Sequence, residues 1–313
     1  MATTVTVNSN YAGKEAGVII GAAFKEADSI KNGLVTMFPN VGSKLNMRKI
    51  SYTDGTTAYS CGHTPAGAIV LSEKILDPVK CKNDLSVCKE DFRATWSEDS
   101  MGASAHNENA PADIMEAIQV EVLGSTGERV DDLIWNGDSG NAGEWDGFIT
   151  LWDADASVIK ANNGITPIGA AITKANVDDE FDKVTAAIPY ALRRKDLKFV
   201  VSPDVADAYT KYLIENGAAN GLGGNANTNL VYGRYTIEVC NGLPDNTIVI
   251  YEKKNLVFGT GLEADFNEMK LVDEDEIGLL TGLVRGKMVY SGGCQYYNSA
   301  EIIWYLSTTV ASI

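Results

Sequence analysis

Residues 113–136 read DIMEAIQVEVLGSTGERVDDLIWN. Ile114, Ile118 and Val122 recur at helical spacing, and Val130, Leu133 and Ile134 continue the apolar stripe, so the pattern predicts one long amphipathic helix. Glu121, Glu128, Asp131 and Asp132 fall on the other side and make that side acidic. Gly124 and Gly127 weaken the helix. They mark either a hinge or glycines that merely turn the chain.

Upstream, residues 44–97 change character. Short β-prone pieces (Arg48–Tyr52, Ile69–Leu71, Phe92–Trp96) alternate with polar turns containing Gly and Pro. The segment has too few apolar residues for a core of its own and predicts a long projecting hairpin that needs a partner surface. Further back, Val18, Ile19, Ala22, Ala23, Ala27 and Ile30 sit near helical spacing, and Gly33 and Pro39 read as stops.

Downstream, residues 136–147 are turn-rich and lead to the apolar run Phe148–Trp152. A helix is expected from Asn176 as N-cap, with Asp178, Asp179 and Glu180 at its positive end and Pro189 kinking or restarting it. Arg193, Arg194 and Lys195 then fit either helix termination or a phosphate contact. Leu197–Val201 reads as a buried strand, and Ser202-Pro203-Asp204 opens another helix that Asn216-Gly217 closes. Residues 217–229 form a Gly/Asn loop. The strands expected after it are Tyr235–Cys240, Thr247–Tyr251, Leu256–Phe258, Met269–Val272, Lys287–Tyr290 and Glu301–Leu306. Helices first and strands last make an α+β class.

The chain has 313 residues, is 45% hydrophobic and carries a net charge of −16, enough for a sizeable core. Within residues 1–50, six cations face three acids, so a basic N-terminal segment precedes an acidic body. Such a body disfavours sequence-specific DNA binding, while the basic segment could face a polyanion or an acidic neighbour, or simply be a solvated helix. No signal peptide and no membrane span is expected. Cys61, Cys81, Cys88, Cys240 and Cys294 follow no repeated spacing and read as reduced thiols; a Cys81/Cys88 metal pair lacks the usual spacing.

Enzyme signatures are thin. Gly137-Asp138-Ser139-Gly140 superficially matches a serine-protease nucleophile loop with His63 upstream, yet no orienting carboxylate in an apolar setting accompanies them. Asp153 and Asp155 imitate a calcium loop, but position twelve is Gly164. Phosphate-loop and dinucleotide motifs are missing. The acidic run Asp273–Glu276 reads as a solvated turn. No catalytic, cofactor-binding or metal-ligating residue is expected, and no cofactor.

The order of basic arm, β-prone loop, acidic helix, helix-strand-helix block and β-rich tail resembles the major capsid proteins of tailed double-stranded DNA bacteriophages, the Hong-Kong-97-like fold. Short stretches sharpen the likeness: Gly13-Lys14-Glu15-Ala16-Gly17 with Pro39-Asn40, and Ile134-Trp135-Asn136-Gly137 leading to Gly143-Glu144-Trp145-Asp146-Gly147-Phe148. Further on come Gly242-Leu243-Pro244-Asp245-Asn246-Thr247-Ile248 and Asn255-Leu256-Val257-Phe258-Gly259-Thr260-Gly261-Leu262, with Gly261 where that family commonly has an acid.

The resemblance implies an N-terminal arm (1–43), an E-loop (44–97), a spine helix with the first part of the P-domain (98–162), part of an A-domain (163–232) and the β-rich remainder of both domains (233–313). It implies a self-assembling head protein built into hexamers and pentamers, made in the bacterial host cytoplasm and located in the virion. Separate scaffold, portal and decoration proteins are its implied partners. Lys14, Lys25, Lys31, Arg48 and Lys49 would contact packaged DNA nonspecifically, and Gly124 and Gly127 would serve as joints. Lysine-to-asparagine cross-links known in the family are not expected here, although Lys74, Lys80 and Lys82 lie in the loop. An encapsulin-type compartment shell is the first alternative, and a hydrolase using Ser139 the second.

Overall fold

A computed structural model describes residues 28–59, 61–62, 65–93, 112–160, 165–216, 230–261, 269–275, 277–279 and 281–307. The expected N-terminal helix and the 217–229 loop lie outside these residues, apart from one helical turn, α1 (Asp28–Lys31). That turn docks on the long helix: the Ser29 amide donates to Asp131 Oδ1 at 2.9 Å and Trp135 Nε1 donates to Ser29 Oγ at 2.6 Å. Asp131, expected on the solvent side, is therefore buried, because its carboxylate takes the amide that a single-turn helix leaves unpaired.

Two sheets carry the fold. The first contains β1 (Thr36–Phe38), β4 (Val79–Cys88), β9 (Leu256–Thr260), β10 (Met269–Asp273) and the long β11 (Leu283–Tyr296). β4, β9 and β10 all pair antiparallel to β11, while β1 joins β9 in parallel. The second sheet has the order β12 (Ile302–Leu306), β8 (Thr247–Glu252), β5 (Leu197–Val201), β7 (Tyr235–Val239), β6 (Val231–Tyr232). The third unit is a two-stranded ribbon, β2 (Leu45–Thr53) with β3 (Ala68–Leu76).

Successive side chains on a strand point to opposite faces, and the second sheet uses both faces for separate cores. Val200, Val249, Tyr251, Ile302 and Trp304 enter one core, with Trp135, Trp145, Phe148 and Trp152. Phe199, Val201, Ile248, Ile250, Ile303 and Tyr305 enter the other, with Phe181, Val205 and Tyr209. Both faces are covered, which is why β5, β8 and β12 read as nearly unbroken apolar runs instead of alternating ones. The helices α3 (Ala112–Asn136) and α4 (Phe148–Ala154) belong to the first core, and α5 (Val177–Ala186) and α6 (Pro203–Glu215) to the second.

Several expectations change. The strand expected at Phe92–Trp96 is replaced, over its described part, by one helical turn, α2 (Glu90–Arg93). The apolar run Phe148–Trp152, to which the sequence assigned no element, is helical. β4 had no counterpart in the sequence reading, because its outward residues Lys80, Lys82 and Asp84 conceal the inward Cys81, Leu85 and Val87. The acidic run at 273–276 is not simply a solvated turn: Lys89, with a fully buried side chain, pairs with Asp273 and with Asp275 at 2.9 Å, and Glu274 pairs with Arg285.

Candidate assembly surface

The ribbon's register places Ile50 opposite Leu71 and Tyr52 opposite Ile69, with Arg48 opposite Glu73 and Asn46 opposite Ile75 on the same face. Ile50, Tyr52, Ile69 and Leu71 are 70%, 65%, 70% and 72% exposed, and Ile75 is half exposed. Ile50, Tyr52, Ile69 and Leu71 thus form an apolar strip, set apart from Ile75 by the Arg48/Glu73 pair, along a two-stranded element whose edges no other strand covers in the described residues. A two-stranded hairpin is marginal alone in water, and an exposed apolar strip marks a surface meant to be covered.

The other face, among the described residues, is tied down at its base. Leu76 and Met47 form a small core with Val257. Beside them Lys49 Nζ donates to Asn298 Oδ1 at 2.7 Å, and Gln295 Nε2 donates to the Ile75 carbonyl at 3.0 Å. Lys74 Nζ stands 3.3 Å from the centroid of the Tyr296 ring and 3.6 Å from Asp155 Oδ2, the same oxygen that accepts the Tyr296 hydroxyl at 2.8 Å. A cation over an aromatic face beside a carboxylate is held from two directions.

Burial pulls the Lys74 ammonium below its ordinary pKa by more than Asp155 restores. Burial works to raise Asp155, but the Ser157 amide, the Tyr296 hydroxyl and Lys74 outweigh it and leave the carboxyl below its ordinary range. Burial, and then Asp155, pushes the Tyr296 phenol well up. The cluster therefore positions more than it stabilises. It fixes where the ribbon leaves the body and leaves the Ile50/Leu71 half projecting.

Of the basic residues expected to act together, Lys14 and Lys25 lie outside the described residues. Lys31 is exposed in α1, Arg48 is on the apolar face of the ribbon, and Lys49 is on the opposite face, bonded to Asn298. Arg48 and Lys49 therefore point to opposite faces of the ribbon. α3 runs unbroken through Gly124 and Gly127, with Thr126 Oγ1 bonding back to the Val122 carbonyl at 2.8 Å between them. Such back-bonding often bends a helix, and it could have been read from the Thr alone.

Ser139 lies in an exposed turn, its amide given to Asp146 Oδ1 at 2.9 Å, and His63 is outside the described residues. Asp155 serves Lys74 and Tyr296, and Asp153 pairs with Lys160. Among the described residues, no group of three or more His, Cys, Asp and Glu stands close enough to hold a metal ion, and no helix is long and apolar enough to cross a membrane. Sequence reasoning missed the Lys74, Asp155 and Tyr296 cluster. Its members are 141 residues apart between Asp155 and Tyr296, and no local spacing announces it.

No family model matches the chain, and no curated protein does. Solved structures do. The chain is similar to the "capsid of native GTA particle", with 12% identity, TM-score 0.62, and 97% of this chain and 96% of that one covered. It is similar to a chain of Gordonia phage Cozz (13% identity, TM-score 0.60, 96% and 91% covered) and to the capsid of Myoviridae phage XM1 (11% identity, TM-score 0.57, 95% and 96% covered). The mixed helix-and-sheet fold of this chain is thus the fold of phage capsid structures, matched over nearly its whole length.

Proposed function

We propose that the chain is the major capsid protein of a tailed double-stranded DNA phage, a shell-building subunit of Hong-Kong-97-like type and not an enzyme. One observation carries the reading: a whole-length capsid fold from which a ribbon projects an apolar strip that its own body does not cover. In this reading 1–43 is the N-terminal arm, 44–97 the E-loop, 98–162 the spine helix with the first P-domain part, 163–232 the A-domain part, and 233–313 the remainder. The exposed strip lies on a neighbouring copy. Many modest contacts of this kind, repeated around closed rings, hold a shell that no single contact would. Gly124 and Gly127 give α3 the freedom that five-fold and six-fold environments require.

A scaffold, a portal and decoration proteins are its expected partners and the virion its location. The structure of satellite phage P4 procapsid, which includes a size determination protein, is another of similar fold (TM-score 0.51) and supports a separate assembly partner. Sedimentation velocity of the purified chain tests the proposal. Species of megadalton size support it; a 33.5 kDa monomer with and without every candidate scaffold encoded beside it overturns it.

A further inference from the structure

The triplet Arg193-Arg194-Lys195, which its sequence leaves open between helix termination and a phosphate contact, terminates no α-helix. α5 ends at Ala186, and the triplet lies in and just after a 3₁₀ turn (Leu192–Arg194) that leads into β5. Its three cations are used differently. Lys195 is taken by Glu252 at 2.7 Å and Glu301 at 2.8 Å, and Arg194 lies over the Tyr190 ring, 5.1 Å from its centroid. Among the described residues, Arg193 bonds only through its Nε, to the Ile188 carbonyl at 3.1 Å. A cleft of about 300 Å³ at the leading ends of the parallel strands β5 and β7 brings Arg193 together with Asp196, Arg234 and Thr236. That volume is at the small end of ligand-binding clefts, which run from about 300 to 1,000 Å³. Arg234 lies over the Tyr235 ring, 5.0 Å from its centroid, and donates to the Tyr235 hydroxyl at 2.7 Å. Among the described residues neither Arg193 nor Arg234 meets a carboxylate, and Asp196 meets no cation. The other charges of the wall are already matched, Lys198 by Glu238 and Lys195 by its two glutamates. Glu238 is nevertheless one donor short, since its Oε2 is buried without a hydrogen-bond partner.

We propose that Arg193, Arg234, Thr236 and Asp196 bind a phosphate group that still carries a proton, either free or as a monoester. A guanidinium is a planar fork of fixed donors suited to paired oxygens, and both forks are held in place here, one by a carbonyl and one by a ring. A carboxylate ligand has two oxygens and fills one fork. A tetrahedral phosphate has acceptor oxygens enough for both forks and the Thr236 hydroxyl together. The acids of the cleft set a second condition. Ionised Asp196 and Glu238 only accept hydrogen bonds, so they repel an anion without a proton and favour one whose own hydroxyl donates to Asp196. A phosphate monoester, with its second pKa near 6, carries that hydroxyl in about half of its molecules at about pH 6. Sulfate and the phosphodiesters of nucleic acid have no such proton there. The proposal is independent of the capsid reading.

The test is isothermal titration calorimetry of the full chain at about pH 6 and constant ionic strength, with circular dichroism to verify folding. Inorganic phosphate is expected to saturate one site per chain with a Kd of about 1 mM, and sulfate to bind at least about ten-fold more weakly. A nucleoside monophosphate in a second arm tells the two sources apart: binding at least as tight as that of inorganic phosphate assigns the cleft to a monoester, and weaker binding assigns it to the free ion. Arg193→Gln and Arg234→Gln are each expected to weaken phosphate by about ten-fold, the loss of a charged hydrogen bond. Asp196→Asn is expected to erase the preference for phosphate over sulfate. Lys211→Gln, which removes an exposed charge on α6, is expected to leave both anions unchanged. All four positions are exposed, so the variants are expected to fold.

Equal binding of phosphate and sulfate by the unaltered chain, phosphate binding untouched by either arginine variant, or no saturation up to about ten times the expected Kd would overturn the proposal. So would an Asp196→Asn chain that keeps its preference for phosphate. Selective phosphate binding by a chain that never forms shells would leave this cleft standing and remove the capsid reading alone.

Discussion

At Gly137 and Gly147 two stretches of backbone pass each other with no room for a side chain. The Gly147 amide donates to the Gly137 carbonyl at 2.8 Å. A Cβ on Gly147 would stand 2.6 Å from Gly137 N and Trp135 O, and one on Gly137 would strike the Trp145 carbonyl and stand 2.7 Å from that of Leu133. Gly137→Ala is therefore expected to cost about 2–3 kcal/mol, in the upper range for point substitutions, read as a lower urea midpoint at unchanged slope. The neighbouring tryptophans explain why this turn is built so tightly: Trp135, Trp145, Phe148 and Trp152 meet around it with ring centroids 5.6 to 6.1 Å apart for the three pairs among Trp135, Phe148 and Trp152. Lys89 is a second residue with a sharp expectation. Lys89→Met leaves Asp273 and Asp275 without their cation and is expected to destabilise the chain by about 1–3 kcal/mol, with hydrogen exchange accelerating first at residues 269–288. Neither fact is visible in the sequence. Gly137 and Gly147 stood out there through a turn-rich stretch and a family likeness but not through their close approach, and the carboxylates around Lys89 looked like a solvated run because their partner lies 186 residues away.

Elements whose reasons are local were legible. β5 occupies Leu197–Val201 as the apolar run indicated, α6 opens with Pro203 at its first turn, and Asn216 follows its end. Here fixed φ at proline and an unbroken buried strand leave few alternatives. Elements made by distant pairing were not. β4 exists because β11 runs beside it over ten paired positions some 200 residues later, and its charged outward face hides the alternation. The helix at Phe148–Ala154 has Gly147 before it and no side-chain cap, so only its packing against Trp135 and Trp304 defines it. The ribbon's apolar strip was legible as a segment lacking its own core, whereas its anchoring by Lys74, Asp155 and Tyr296 was not. At this scale the expectation concerns the ribbon. Ile50→Asp with Leu71→Asp, both exposed and opposite each other, should leave the urea midpoint within about 0.5 kcal/mol of the parent and prevent assembly in sedimentation. A large loss of stability would instead mean that the strip is already covered within the chain.

Across the whole molecule, stability should fall in acid. Asp155 and Asp275 are held below the ordinary carboxylate range, Asp275 by the Gly282 amide and Lys89. Glu144 is held down as well: burial opposes, but the Asp138 amide, Asn141 and Arg129 prevail. Groups with folded pKa values below their unfolded ones contribute stability that is complete above about pH 5 and is lost as pH falls through the folded values. Urea midpoints are expected to be level from pH 7 to 5 and to drop below about pH 4; a drop already at pH 6 would contradict this assignment. A molecule with two cores, one apolar strip left outside and the fold of phage capsids is, on the proposed reading, a subunit whose remaining surface is completed by its copies. Negative-stain electron microscopy of the purified chain, with and without its candidate scaffold, tests this most directly. Closed shells, tubes or five- and six-fold rings are the expected result, and fields of separate monomers under both conditions would contradict it.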